Sequence, residues 1–190
     1  MQSAEGLKAA GVNLTFSTTH SRPRSRLADH RLMEFSNYIT EIQQRLHPRP
    51  YTDLHPSPPA GVDLLLTCKK YWLARYALAI APWDDSMDGA AFLKSRRRLV
   101  SLALSAMWVK REVGLYLIVT GSEPSWRDHV ANMPADKTGL HAVIVQAVHF
   151  VDLQSGATAI NQSAWGPVKF GGVDSVASVV NSIPISRSKC

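Results

Sequence analysis

The sequence predicts an α+β domain in which a mixed or antiparallel sheet of about five strands is covered by a long helix and a C-terminal helix. Apolar runs of strand length recur along the chain, and two stretches in its second half repeat apolar residues at helical spacing. The 190 residues, 45% of them hydrophobic, are enough to bury one core without disulfide bonds. This composition excludes collagen-like, coiled-coil and wholly disordered chains.

Residues 1–31 are expected to form a flexible basic arm, because small and polar residues dominate them and offer little apolar surface to bury. Its arginines are Arg22, Arg24, Arg26 and Arg31. An amphipathic helix is predicted over 32–46, where apolar residues recur at steps of three and four. The connector 47–60 completes this second region. It holds five of the eleven prolines and is expected to be extended, outside helix and sheet.

The folded domain is predicted over 61–185, followed by a short tail, 186–190. Two apolar runs, 62–68 and 71–81, are expected to pair as neighbouring strands across the lysines between them. A helix is then predicted to run to about residue 111, capped by the side chain of Ser86 or Asp88.

The second half of this domain alternates strands with turns. The run 114–120 is nearly all apolar, which predicts a central strand buried on both faces. A short helix is predicted within 126–133, and a long strand rich in valine and isoleucine over 140–152. A glycine-containing hairpin returns the chain through 157–164, and helical spacing over 173–183 predicts the C-terminal helix.

Positive charge is the main functional signal. Lysine and arginine outnumber aspartate and glutamate by 21 to 15, which gives a net charge of +6 and favours anionic partners. The cations of the arm and of the polar edge of the long helix form the predicted anion-binding set: Arg22, Arg24, Arg26, Arg31, Lys94, Arg97 and Arg98.

Arg96 differs from its neighbours, because the helical wheel places it in the middle of the apolar face. A buried guanidinium without a partner destabilises the fold by several kcal/mol. The sequence therefore predicts that Arg96 pairs with a carboxylate, and the candidates are Asp63, Asp84 and Asp85.

Cysteine use and targeting signals favour an intracellular protein, cytoplasmic or nuclear. The two cysteines are too few for a secreted disulfide scaffold, and Cys68 lies in an apolar run typical of a buried thiol. The N-terminal stretch 1–19 has no apolar run long enough for a signal-peptide core, and no segment of the chain approaches the length of a membrane-spanning helix.

No catalytic residue, metal ligand or cofactor site is predicted from motifs. The sequence lacks a zinc signature, a phosphate-binding glycine loop and a nucleophile elbow. Of the seven histidines, His141 and His149 fall on one face of a predicted strand but about 26 Å apart, too far to share a metal ion.

Two alternatives remain open. The first is a divergent metal-dependent nuclease or hydrolase, with a site assembled from dispersed acids such as Asp63, Asp84, Asp85 and Glu112. Its element order loosely resembles that of restriction-type nucleases, but the second predicted strand lacks the carboxylate and lysine that such a site needs. The second is a small interaction module whose proline-rich segment 56–59 binds an aromatic groove.

The leading hypothesis is a non-catalytic structural or accessory protein without a cofactor. Its basic residues would bind RNA, another nucleic acid or an acidic membrane surface. Its apolar helix surface would bind protein or a second copy of the chain, and a matrix-like layer protein fits this size and charge. It is not expected to span a membrane.

Overall fold

In the computed structural model of the chain, the described residues are 24–46, 53–54, 57–70, 74–105, 113–130, 133, 143–162 and 173–185. Residues 1–23, most of the connector 47–60 and the tail 186–190 lie outside this part of the chain, so the predictions made for them stay predictions.

The elements of the described residues are α1 (Arg24–Leu46), β1 (Asp53–Leu54), β2 (Leu64–Lys70), β3 (Ala74–Pro82), α2 (Gly89–Ser105), β4 (Val113–Thr120), α3 (Glu123–Val130), β5 (Val143–Val151), β6 (Thr158–Gln162) and α4 (Val173–Asn181). In this part of the chain the strands form one six-stranded sheet in the order β1-β2-β3-β4-β5-β6. The first three pair antiparallel, β3, β4 and β5 run parallel, and β6 pairs antiparallel with β5. The predicted α+β class with a mixed sheet is confirmed.

The two halves of the sheet follow from their connections. Only three residues separate β2 from β3, and these strands are antiparallel, whereas α2 and α3 each connect parallel neighbours. Right-handed crossovers place both connecting helices on the same face of the sheet. The helices near the chain ends, α1 and α4, pack on the other face.

The structure differs from the sequence prediction at both ends of the N-terminal region. Helix α1 begins at Arg24, about two turns before the predicted start at residue 32. Residues 24–31 contain arginine, leucine and alanine, which favour a helix, and no glycine or proline. The first part of α1 therefore lies in what was predicted as flexible arm.

The proline-rich connector was predicted to lie outside the sheet, and this is wrong at one point. Strand β1 is only two residues long, and its Asp53 and Leu54 pair with Thr67 and Leu66 of β2. They fall in the one stretch of the connector, 51–55, that has no proline. Their backbone amides can therefore join a β-ladder.

Strand β5 contains a bulge that period-two alternation does not predict. Leu115 pairs with Val145 and the next residue, Tyr116, pairs with Ala147, so Gln146 is an extra residue in β5. A side chain at Gly114 would place its Cβ 3.2 Å from Tyr76 and 3.4 Å from Gln146. The glycine thus lets two buried polar side chains approach across the sheet.

Loops at the carboxyl ends of the parallel strands are held by side-chain caps. The Asp88 carboxylate accepts a hydrogen bond from the Ala91 amide at 2.7 Å, which confirms Asp88 as the cap of α2. The Asp152 carboxylate, after β5, accepts a bond from the Glu123 amide at 3.0 Å and so caps α3. These contacts fix where α2 and α3 begin.

Candidate anion-binding site

Helix α2 carries four cations and no acidic residue along its 17 positions. Its apolar side chains Phe92, Val100 and Leu104 are buried against the sheet. Packing therefore fixes the rotation of the helix and turns the opposite side to solvent. The charges on that outer side have no carboxylate of the same helix to neutralise them.

Six residues define this outer face, which we name the α2 strip: Lys94, Arg97, Arg98, Ser101, Leu102 and Ser105. At 100° per residue they span a face of about 140°. Lys94, Arg98 and the last three residues are exposed. Arg97 is half-buried and has an interaction partner within the chain.

Lys94 and Arg98 are the most open cations of the strip. They lie one turn apart, so their side chains project in nearly the same direction. No ion pair or hydrogen bond joins either of them to another residue in the described part of the chain. Each can therefore contact an external anion without first breaking an internal contact.

Arg96 is buried, as its position on the helical wheel predicts. It is only 8% exposed, and its guanidinium carbon lies 4.8 Å from the centre of the Phe92 ring. A Cβ at Gly61 would lie 2.7 Å from Nη1 of Arg96, and Gly61 has a φ of 84°. The loop before β2 thus needs glycine both for its backbone conformation and for the space that Arg96 occupies.

Two of the three predicted partners of Arg96 lie near its charge. Burial raises the pKa of Asp63, and the positive charge of Arg96 partly offsets this effect. Hydrogen bonds from the Ser86 hydroxyl and amide lower the pKa of Asp84, and Arg96 lowers it further. In the described residues, however, Arg96 forms no ion pair with any of the three carboxylates, and its buried Nε has no hydrogen-bond partner, so the predicted pairing is not formed.

The acids named for a metal-dependent enzyme do not form a metal site in the described residues. Asp63 and Asp84 both lie near Arg96, whose charge competes with a cation. Asp85 is exposed, and Glu112 lies outside the described residues. Across the ranges that the structure describes, no group of three or more histidine, cysteine, aspartate or glutamate side chains could hold a metal ion.

The structure describes no side chain of the arginines in the predicted arm. Arg22 lies outside the described residues. Arg24, Arg26 and Arg31 belong to the first turns of α1, where the structure describes the backbone alone. The later side chains of α1 pack on the sheet face opposite α2. The structure therefore gives one described basic surface, on α2.

Sequence reasoning missed a polar cluster buried on the α1 and α4 face. The Tyr116 hydroxyl lies 2.9 Å from Nδ1 of His149, and the Asn181 side chain also hydrogen-bonds His149. Burial lowers the pKa of His149 to about 4, although the bond to Asn181 opposes this. The sequence signal was a histidine within a run of valines, which indicates a buried neutral imidazole at least as well as a metal ligand.

Cys68 is buried, as its position in an apolar run predicts, and it is outside any disulfide bond in the described part of the chain. Among the described helices, none combines the length and the apolar character needed to cross a lipid bilayer. Comparison of the chain with known family models, with curated proteins and with solved structures gave no match.

Proposed function

We propose that this chain is a non-catalytic, nucleic-acid-binding accessory protein that contacts phosphates through the α2 strip. The single observation that supports this most is the exposed, unneutralised pair Lys94 and Arg98 on a helix without acids. Arg97, at one edge of the same face, adds positive charge, although it already has a partner within the chain. Phosphate groups attract such a row through charge and through hydrogen bonds from guanidinium and ammonium groups.

The composition of the strip favours nucleic acid over a membrane surface. A helix that lies in the lipid interface presents a continuous apolar face to the acyl chains, but the apolar face of α2 is buried in the core. Leu102, 62% exposed, is the one large apolar residue of the strip. Ser101 can instead donate a hydrogen bond to a phosphate oxygen, whereas the Ser105 hydroxyl already donates to the Leu102 carbonyl at 2.7 Å.

Binding of this kind is expected to ignore base sequence. The strip is about 16 Å long and lies on the outside of a helix that is packed along its other side. Its cations match the backbone, which is the same for every sequence. Two phosphate contacts on a single strand, from Lys94 and Arg98, predict a slope of about −1.4 in a plot of log affinity against log salt concentration.

Association with protein has less support than binding to phosphate. In the described parts of the chain, the large hydrophobic residues that are exposed are Leu102 and Ile160, and they belong to different elements. A pair of separated side chains is smaller than a usual protein interface. We therefore base the proposal on the charges alone.

The test titrates the protein into a fluorescently labelled single-stranded RNA of about 20 nucleotides. Binding is monitored by fluorescence anisotropy at NaCl concentrations between about 50 and 200 mM. The variant Lys94→Gln/Arg97→Gln/Arg98→Gln is expected to lose at least about tenfold in affinity and most of the salt slope. The matched control, Arg24→Gln/Arg26→Gln/Arg31→Gln, removes the same charge from α1 and is expected to bind more tightly than the α2 variant.

Each other outcome contradicts the proposal. Equal binding by wild type and α2 variant would show that the strip does not contact the strand. A larger loss in the α1 variant would move the site to the N-terminal arginines. Binding to vesicles of anionic lipid, but not to RNA, would favour a membrane partner. Circular dichroism of the variants checks that the helices are intact.

A further inference from the structure

Leu102 is the most exposed large hydrophobic residue in the described part of the chain. Its exposed fraction is 62%, against 37% for Ile160 on β6. The buried apolar residues of the same helix, such as Phe92 and Val100, pack against the sheet, whereas Leu102 belongs to neither of the two cores. Its apolar surface is therefore available to a ligand of the α2 strip.

Leu102 continues the row formed by Lys94 and Arg98. The three residues are four positions apart, so each lies about 6 Å further along the helix and about 40° further round it than the one before. Two exposed cations are thus followed by one exposed apolar side chain. Helix α2 has no acidic residue to interrupt the row.

A single strand of RNA matches both parts of this row. Its phosphates bind ammonium and guanidinium groups, and its unstacked bases expose apolar faces that pack on protein side chains. A base projects to one side of its phosphate. A base of the bound strand can therefore cover Leu102 while neighbouring phosphates contact Lys94 and Arg98.

An RNA duplex matches only the charged part of the row. Each base of a duplex is covered by its neighbours in the stack, and the surface presents phosphates, ribose hydroxyls and base edges. Leu102 would then lie against polar groups and gain no apolar contact. Charge alone favours the duplex, because its two strands carry more phosphates along the same length. A preference for the single strand therefore requires a contact with unpaired bases.

We propose that Leu102 makes the α2 strip select single-stranded over double-stranded RNA, through apolar contact with an unstacked base. This inference rests on the proposed function, because Lys94 and Arg98 hold the strand against the helix. Every base has a flat apolar face, so the contact distinguishes single strands from duplexes without distinguishing one base sequence from another.

The test compares two labelled ligands of the full chain, a single-stranded RNA of about 20 nucleotides and the same strand annealed to its complement. Wild type is expected to bind the single strand at least about threefold more tightly than the duplex. Leu102→Ala is expected to bind the single strand about fivefold more weakly than wild type, because a small apolar contact is lost. Its affinity for the duplex should be unchanged.

Salt separates this apolar contact from an effect of charge. An apolar contact releases no counterions, so Leu102→Ala should bind the single strand more weakly at every NaCl concentration between about 50 and 200 mM, with the same salt slope as wild type. Leu102→Tyr should bind it more tightly, because a ring offers a base more surface for stacking. The matched control is Ile160→Ala, which removes the exposed apolar side chain of β6 and should bind like wild type.

Two results would overturn the inference. If wild type binds the duplex as tightly as the single strand, or if Leu102→Ala weakens binding of both RNAs equally, Leu102 does not select the single strand. The proposed function survives either result when Lys94→Gln/Arg97→Gln/Arg98→Gln still loses affinity for the single strand. If wild type binds neither RNA, the proposed function fails, and this inference fails with it.

Discussion

The two faces of the sheet are built from different chemistry. Under α2 and α3 the core is apolar and aromatic, and small alanines of β3 leave room for large rings. Under α1 and α4 the core includes buried polar groups, among them Tyr116 and His149. His149, the histidine whose pKa burial lowers, therefore lies on the face opposite the basic helix.

The aromatic cluster shows what holds α2 in place. The Trp83 ring lies 4.7 Å from Phe92 and 6.0 Å from Phe150, and Trp126 lies 5.4 Å from Phe150, measured between ring centres. The Trp126 indole also donates a hydrogen bond to the Gly121 carbonyl at 3.1 Å. Rings from two helices and two strand ends thus interlock at the carboxyl edge of the sheet.

The largest expected effect comes from opening this cluster. Phe92→Ala removes a fully buried ring that contacts both Trp83 and Arg96. We expect it to lower the free energy of unfolding by about 3–5 kcal/mol, as measured by urea denaturation. The loss of unfolding free energy should be the same at pH 7 and pH 5.5, because Phe92 packs on the face opposite His149, the group expected to titrate. A loss that changed with pH would break the comparison between the faces.

Acid is expected to act on the opposite face, through His149. The unfolded chain takes up a proton at the ordinary histidine pKa of 6.5, whereas the folded chain does so at a pKa of about 4. The contribution of the neutral imidazole is therefore complete above pH 6.5 and is lost as the pH falls towards 4. Over this pH range the free energy of unfolding is expected to fall by about 3 kcal/mol.

Two histidine variants separate the faces. His149→Gln removes the titrating group on the α1 and α4 face. The free energy of unfolding of this variant is expected to depend much less on pH between about 6.5 and 4 than that of wild type. His129→Gln is the matched control, because His129 is half-buried on the other face with its ring 5.0 Å from Trp83. An equal slope in wild type and His149→Gln would show that another group governs acid unfolding.

A smaller effect is expected at the rim, where Arg96 meets Gly61. Gly61→Ala places a Cβ 2.7 Å from the guanidinium, at a φ of 84°, and should cost about 2 kcal/mol. Part of this cost comes from Arg96, so Gly61→Ala should cost less when Arg96 is replaced by methionine. A double-mutant cycle of unfolding free energies measures that difference. Additive costs would mean that the backbone alone requires glycine.

Periodicity and turn chemistry predicted much of this architecture. The hairpin of β2 and β3, the Asp88 cap and the buried central strand β4 follow from local patterns that the tertiary structure reinforces. The burial of Arg96 also follows from its wheel position, since the apolar residues around it face the sheet. The basic edge of α2 was predicted for the same reason.

The remaining features depend on contacts between distant residues. The register shift at Gln146 and the pairing of β1 leave no periodic signal. The burial of Tyr38 likewise depends on the packing of α1 against α4 and the segment that follows it. Likewise, the separation of the α2 strip from α1 depends on which face each helix covers.

The central claim is that phosphates bind the α2 strip, and amide-resolved mapping tests it most directly. A single-stranded RNA titrated into the ¹⁵N-labelled chain at low salt should shift the amides of 94–105 and reverse those shifts on addition of salt. The amides of 35–46 and 173–181, on the opposite face, should stay in place. Shifts confined to those two helices, or no shift in α2 at saturating RNA, would contradict the claim.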